Sequence, residues 1–180
     1  MVPVTADDFE SFYWEQLPRL RRFLTRRISS KETREDLETT IMTLAWRRLP
    51  DRPVDDRTFG WLAGIAGGVV ANERRAERRR GALLERVVGH RGTAGAADVP
   101  QAPDQVDGGD PAVAAALATL GDDDREILLL HEWDGCSYAE IAAATGINEA
   151  AARKRLSRAR ARFADAWSAA QEQDGGGHGA

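Results

Sequence analysis

The chain has one cysteine, Cys136, among its 180 residues. A lone thiol excludes an internal disulfide framework and fits a reducing compartment. No apolar run approaches the roughly 20 residues that a membrane-spanning helix needs. The first residues lack the charged-then-apolar pattern of a secretory leader. A cytoplasmic chain without membrane insertion is therefore expected. Histidine is scarce too, at three residues. His131 with Cys136 falls short of the four ligands that a structural zinc site takes. No His/Asp/Glu constellation and no glycine loop for phosphates is present, so neither metal, cofactor nor catalysis is expected. Strand-like alternation is almost absent, which leaves helices.

An excess of positive charge is missing as well. The formal net charge is −4, unusual for a chain that coats nucleic acid. The distribution is uneven. Residues 1–91 hold 18 basic and 14 acidic residues, residues 92–111 hold four Asp and no base, and residues 112–180 hold 7 basic against 11 acidic. Cations concentrate at residues 74–80 and 153–162. Such a chain should hold DNA weakly alone, because counterion release is the main source of nonspecific affinity.

What is there is most explicit in residues 137–163, SYAEIAAATGINEAAARKRLSRARARF. Ser137 with Glu140 three residues later forms a capping box and starts a helix. Ile141, Ala142 and Thr145 form its expected inward face. Gly146 suits a left-handed reversal. Ile147 plugs the corner, and Asn148 is a good N-cap for the next helix. That helix has Ala152, Leu156, Ala159 and Phe163 on its inward side. Arg153, Lys154, Arg155, Arg158, Arg160 and Arg162 stand elsewhere on it, against Glu149 alone. A salt-laced surface helix would alternate charge signs; this one offers guanidinium forks for phosphates and guanine edges. The outline is a helix-turn-helix reader of duplex DNA.

The rest reads as two small helical domains. Thr5 and Asp8 cap a first helix bearing Phe9, Phe12, Tyr13, Leu17, Leu20, Phe23 and Leu24, with Pro18 expected to kink or split it. Ser29 with Glu32 is a second capping box, ahead of Leu37, Ile41, Leu44, Ala45 and Leu49. A third helix starts near Arg57, carries Phe59, Leu62, Ile65, Ala66 and Val69, and ends in NERRAERRR. Residues 89–110 have the composition of a flexible acidic linker. Pro111 opens a short helix through Leu120. Asp122 is placed to cap the next, with Ile127, Leu128, Leu130 and Trp133 inside. The acids at 122–124 favour a helix N-terminus through the dipole. The expected organisation is a first domain over 5–88, a linker over 89–110, a helix-turn-helix domain over 111–170 and a disordered tail over 171–180.

With these segments in view, the chain resembles the extracytoplasmic-function (ECF) group of bacterial sigma factors, from Asp8 to Trp167. FYWEQLPRLRRFLTRRI resembles the opening helix of that family. EDLETTIMTLAWRRLPDRP resembles the segment that grips the polymerase clamp and leads into promoter melting. FGWLAGIAGGVVANERRAERRR resembles the helix facing the −10 element, and LATLGDDDREILLLHEWDGCSYAEIAAATGINEAAARKRLSRARARF the domain reading the −35 element.

The resemblance implies a non-catalytic protein that binds core RNA polymerase (clamp and flap) and directs it to promoter DNA, with an anti-sigma factor as a further candidate partner. It implies −35 contacts at Arg153, Lys154, Arg155, Ser157 and Arg158. It implies −10 and melting contacts at Arg47, Arg48, Arg57, Asn72 and Arg75. Polymerase contacts fall at Asp36, Leu37, Thr40, Ile41 and Trp46. The chain departs from the pattern at Thr39, Thr40 and Met42, where a Gln-Glu pair and an aromatic are usual. It departs again at Gly67 and Gly68, where Arg-Asn is usual, and at Thr145 and Ala152, which are smaller than usual. The rival readings are a sigma-derived DNA-binding regulator that has lost productive polymerase engagement, and an unrelated protein-interaction module.

Overall fold

A computed structural model describes residues 5–88 and 111–175, with backbone alone for 84–88 and 173–175. The expected linker and residues 176–180 lie outside the described residues. All regular structure among the described residues is helical: α1 Ala6–Thr25, α2 Lys31–Arg47, α3 Thr58–Val88, α4 Pro111–Thr119, α5 Asp122–Leu128, α6 Tyr138–Thr145 and α7 Glu149–Gly175. A 3-10 turn, Leu49–Asp51, follows α2, and a π turn, Leu129–Trp133, continues α5.

Local signals explain most boundaries. Thr5 Oγ1 accepts the Asp8 N–H at 3.2 Å and Asp8 Oδ2 accepts the Thr5 N–H at 2.8 Å, a complete capping box. Those bonds, led by the Thr5 backbone N–H, hold the Asp8 carboxyl below its usual value. Pro18 does not split α1, which runs as one helix from Ala6 to Thr25. Loss of one helix bond to proline costs about 3 kcal/mol. Burial of Leu17, Leu20, Phe23 and Leu24 on both sides of it, at about 1.5–3 kcal/mol per large side chain, outweighs that cost.

The second cap is shifted by one residue. Ser30, not Ser29, is the N-cap of α2, accepting the Thr33 N–H at 3.2 Å. The reason is Arg34, whose Nη1 donates to the carbonyls of Ile28 and Ser29 at 2.8 and 2.7 Å and so fixes the preceding turn. α3 continues past NERRAERRR to Val88, and α7 continues to Gly175, into the segment expected as a disordered tail. Gly121 rather than Asp122 is the N-cap of α5. Asp122 lies inside the helix and pairs with Arg125 at 3.1 Å. Buried Arg125 also donates to the carbonyls of Leu117 and Leu120 at 2.7 and 2.5 Å, tying the end of α4 to α5.

α1, α2 and the first half of α3 share one core: Phe12, Leu20, Phe23, Leu24, Ile41, Leu49, Phe59 and Leu62 are buried. α4 and α5 pack on α7 around Leu117, Ile127, Leu130, Ala152, Leu156 and Ala159. The expectation of two helical units joined by a tether omits a direct contact between them. α6 packs along α3. A Cβ built on Gly60 would stand 2.1 Å from the Glu140 carbonyl oxygen, and one on Gly64 would stand 3.0 Å from that of Ala144. Only residues without a side chain permit so close a backbone approach.

Arginines of α1 complete the contact. Arg27 is almost fully buried and stacks 3.6 Å from the Phe23 ring centre. It donates to Glu126 Oε1 at 3.0 Å and to Asp134 Oδ2 at 2.9 Å. Asp134 is equally buried and also accepts from Arg26 at 2.9 Å. Arg19 lies over the Phe59 ring and donates to Glu140 Oε1 at 2.6 Å. Burial opposes the charge on Arg27, yet the two facing carboxylates raise its pKa above the usual value.

Candidate nucleic-acid interface and partner face

The DNA-reading candidate is built as its sequence dictates. Ser137 Oγ accepts the Glu140 N–H at 3.1 Å, and Glu140 Oε2 accepts the Ser137 N–H at 2.9 Å. Gly146 closes α6 at φ 71°. Asn148 Oδ1 accepts the Ala151 N–H at 2.8 Å and starts α7. Ile141 is buried as expected, but Thr145 is exposed and turns its hydroxyl back to the Ile141 carbonyl at 2.7 Å. The small face of α6 instead meets α3, through Ala144. On α7, Ala152, Leu156 and Ala159 are buried and Phe163 is half-buried.

The five −35 candidates separate by what they touch. Arg153, Lys154, Ser157 and Arg158 are exposed on one face. Arg153 lies 4.4 Å from the centre of the Tyr138 ring, a cation–π contact that orients its fork. Arg155 is half-buried and turned toward α5, where its Nη1 meets Asp123 Oδ2 at 3.2 Å. Arg162 pairs with Asp124, and Arg160 donates to Glu132 at 2.7 Å. The acids at 122–124 thus do more than favour a helix N-terminus: two of them hold cations of α7. Sequence reading missed this because the partners lie about thirty or more residues apart.

The −10 and melting candidates are dispersed. Arg47 and Arg48 are exposed at the end of α2, and Arg57 is exposed before α3. Arg57 meets Asp55 through paired bonds, the shortest 2.6 Å. The hydrogen bond leads in raising the Arg57 pKa and lowering that of Asp55. Asn72 and Arg75 are exposed on α3 and bond to each other. Arg74 turns inward instead and donates to the Arg27 carbonyl at 3.3 Å. Desolvation lowers its pKa. Gly67 and Gly68 have open space where side chains would stand.

On the polymerase side, Leu37 and Ile41 are core residues and cannot present their side chains to a partner. They position α2. Asp36, Thr40 and Trp46 are exposed. Phe9, Tyr13, Glu38, Thr39, Met42, Thr43 and Trp46 line a groove between α1 and α2. Trp46 meets Phe9 edge-on at 4.8 Å and stays 43% exposed, and Trp14 nearby is 63% exposed. Phe9 and Tyr13, four apart on α1, are the part of the aromatic pattern that falls on this face. Thr39, Thr40 and Thr43 donate their hydroxyl hydrogens to carbonyls four residues back, at 3.1, 3.0 and 2.8 Å. That habit occupies the hydroxyl donors and tends to bend helices slightly.

Cys136 is buried, and desolvation leads in pushing its pKa to about 12, which leaves an inert thiol. Among the described residues, no three His, Cys, Asp or Glu gather to hold a metal ion, and no helix is long and apolar enough to cross a membrane.

The described residues, all helical with a capped helix-turn-helix and a cationic second helix, have the form of a DNA-reading transcription protein. The Sigma-70, region 4 family matches residues 111–163. The RNA polymerase sigma factor CarQ of Myxococcus xanthus is 32% identical over 157 residues, 84% of this chain and 84% of CarQ. The ECF RNA polymerase sigma factor BldN of Streptomyces coelicolor is 30% identical, across 81% of this chain and 55% of BldN. Among solved structures, the sigma factor RpoE of Bartonella quintana, in complex with the anti-sigma factor NepR, superposes with a TM-score of 0.60 at 25% identity, over 91% of this chain and 98% of that one. CnrH, in complex with the cytosolic domain of CnrY, shares the fold with a TM-score of 0.58 at 20% identity, over 92% and 90% of the chains. The chain belongs to the RNA polymerase sigma factors.

Proposed function

We propose that this protein binds core RNA polymerase and directs promoter-specific initiation, with its two helical units dividing the work. The observation that carries the reading is the open cationic face of α7, mounted on a fully capped helix-turn-helix in a chain of this family. Arg153, Lys154, Ser157 and Arg158 meet bases and phosphates of the −35 element, each good bidentate base contact contributing roughly 1–3 kcal/mol of discrimination. Arg155 joins them after exchanging Asp123 for phosphate. Arg47, Arg48, Arg57, Asn72 and Arg75 serve the −10 element, where capture of an unstacked base offsets the cost of strand opening. The groove along α1 and α2, with Asp36, Thr40 and Trp46 at or near it, receives the polymerase clamp. The protein acts in the cytoplasm and catalyses no reaction. RpoE is captured with an anti-sigma factor, and a holding partner of that kind is proposed here too.

Co-elution of the purified protein with core polymerase, followed by run-off transcription from genomic fragments, tests this. Absence of co-elution sinks the reading. Charge reversal at Arg153 and Arg155 should abolish −35-dependent initiation and spare polymerase binding; an equal loss of both would refute the division of labour. A second reading, a DNA-binding regulator without productive polymerase engagement, is favoured by the back-bonded hydroxyls of Thr39 and Thr40. Co-elution without transcripts would support it.

A further inference from the structure

The cations of α7 are not all held in the same way. Arg155, Arg160 and Arg162 meet the carboxylates of Asp123, Glu132 and Asp124, which occupy N–H donors of their guanidinium groups. Arg153 is held by a ring instead: its guanidinium lies 4.4 Å from the centre of Tyr138. A π face attracts the flat cation without accepting the N–H bonds that lie in its plane. The fork is thus restrained while its donors remain available. The ring is itself supported. Tyr138 is the first residue of α6, and the Ser137–Glu140 capping box fixes its backbone. The His131 ring stands 5.3 Å from it, tilted by 46°. His131 belongs to the π turn Leu129–Trp133 that continues α5. Such turns are rare and concentrate at functional sites. His131 Nδ1 in turn lies 3.4 Å from Arg160 Nη2. The groups run Arg160, His131, Tyr138, Arg153, a brace that starts and ends on α7. Positions 153 and 160 are about two helical turns apart, roughly 10 Å, which two rings can bridge.

We propose that Tyr138, backed by His131, is a positioning residue that sets which base pair of the −35 element the protein reads through Arg153. The inference rests on the promoter-directing reading above. An unrestrained arginine samples many rotamers, so its fork can follow a phosphate or the edge of more than one base. Freezing it on binding then costs affinity on every sequence alike. A fork aimed in advance avoids that cost only where a matching pair of acceptors waits. In the major groove that pair is O6 and N7 of guanine. A carboxylate in place of the ring would occupy the donors, and an aliphatic side chain would leave the fork loose. An aromatic residue at 138 does neither. The ring stands on α6 and the arginine on α7, so the aim of Arg153 is tied to the angle between the two helices of the reader.

The test is base preference, measured position by position. With the polymerase holoenzyme, transcription from promoters randomised across the −35 element should show one G·C position whose preference Arg153→Ala erases. Tyr138→Leu should lower the preference at that position by about two- to fivefold and leave the other positions unchanged. Tyr138→Phe keeps the ring and should restore it. His131→Ala should give a smaller loss at the same position. In an Arg153→Ala chain, Tyr138→Leu should add nothing. A loss spread equally over all positions, a loss that persists without Arg153, or a phenylalanine variant as poor as the leucine one would each overturn the brace. So would the lack of any position that depends on Arg153. Selection of randomised duplexes by the free protein at low salt, where affinity is highest, reads the same ratios without polymerase. Absence of transcripts with the wild type would therefore overturn the promoter-directing reading, while the duplex selection still decides the brace.

Discussion

Two pairs of glycines stand within nine residues of one another on α3, and they have opposite meanings. Gly60 and Gly64, four apart, lie under α6, where an added carbon would meet backbone atoms at 2.1 and 3.0 Å. Gly67 and Gly68, adjacent, have nothing within 4 Å of an added carbon. The first pair is required by what passes over it. The second carries the ordinary helix penalty of glycine, about 1 kcal/mol each relative to alanine, with no compensating contact. Spacing separates them: residues four apart share a helix face and adjacent residues do not.

The largest effect expected around this contrast comes from Arg27→Met. It leaves Glu126 without its partner and Asp134 with Arg26 alone, beside a buried site. The packing of the two halves should weaken by about 3–5 kcal/mol, visible as a lower urea midpoint or an expanded scattering profile. An unchanged profile would show that the covered half of α3 is held by something other than these charges. Next, Gly60→Ala should cost the packing of α6 on α3 about 3 kcal/mol through overpacking, and Gly64→Ala less. In an Arg27→Met background the cost of Gly60→Ala should shrink, because both act on one contact; strict additivity would break the link. At the open pair the sign reverses. Gly67→Ala and Gly68→Ala should each raise stability by about 1 kcal/mol, and a loss would reveal an unrecognised neighbour. The smallest effect is acid release of the first cap. The Asp8 carboxyl is held below its ordinary 3.8 by Thr5. Its contribution is therefore complete above pH 3.8 and disappears as pH falls through the lowered folded value. Amide exchange at the start of α1 should accelerate there in the wild type and not in Asp8→Asn.

Features set by neighbours in sequence were legible before the structure. Ser137 with Glu140, Gly146 and Asn148 define the helix-turn-helix through bonds spanning three or four residues, and each behaves as read. Thr5 with Asp8 does too. The misreadings at Ser29 and Asp122 are one-residue slips between adjacent candidates, decided by Arg34 and by Gly121. Pro18 does not split α1 because the apolar burial around it outweighs its local propensity. The π turn at Leu129–Trp133 left no recognisable mark in the pattern. The contact between the two halves was missed for a different reason. Its charged partners lie about a hundred or more residues apart, and its only local trace is the spacing of Gly60 and Gly64. Among the site residues, the exposed cations of α7 were readable from composition. The burial of Leu37 and Ile41 and the pairing of Arg155 depend on which face meets which neighbour.

The carboxylates already seated on α7 have a thermodynamic consequence for how the protein responds to salt. Asp123, Asp124 and Glu132 act as built-in counterions for Arg155, Arg162 and Arg160. When such an arginine moves to a phosphate, it exchanges one anion for another and leaves a bare carboxylate behind. DNA still releases its condensed cations, but the freed carboxylate recruits some back. Lys154 and Arg158, which form no ion pair with any described residue, and Arg153 carry no such rebate. The logarithm of the affinity should therefore fall with the logarithm of salt at a slope set mainly by these three, about −0.9 per phosphate engaged, rather than by all six cations of the helix. Neutralising Asp123 and Asp124 should steepen it.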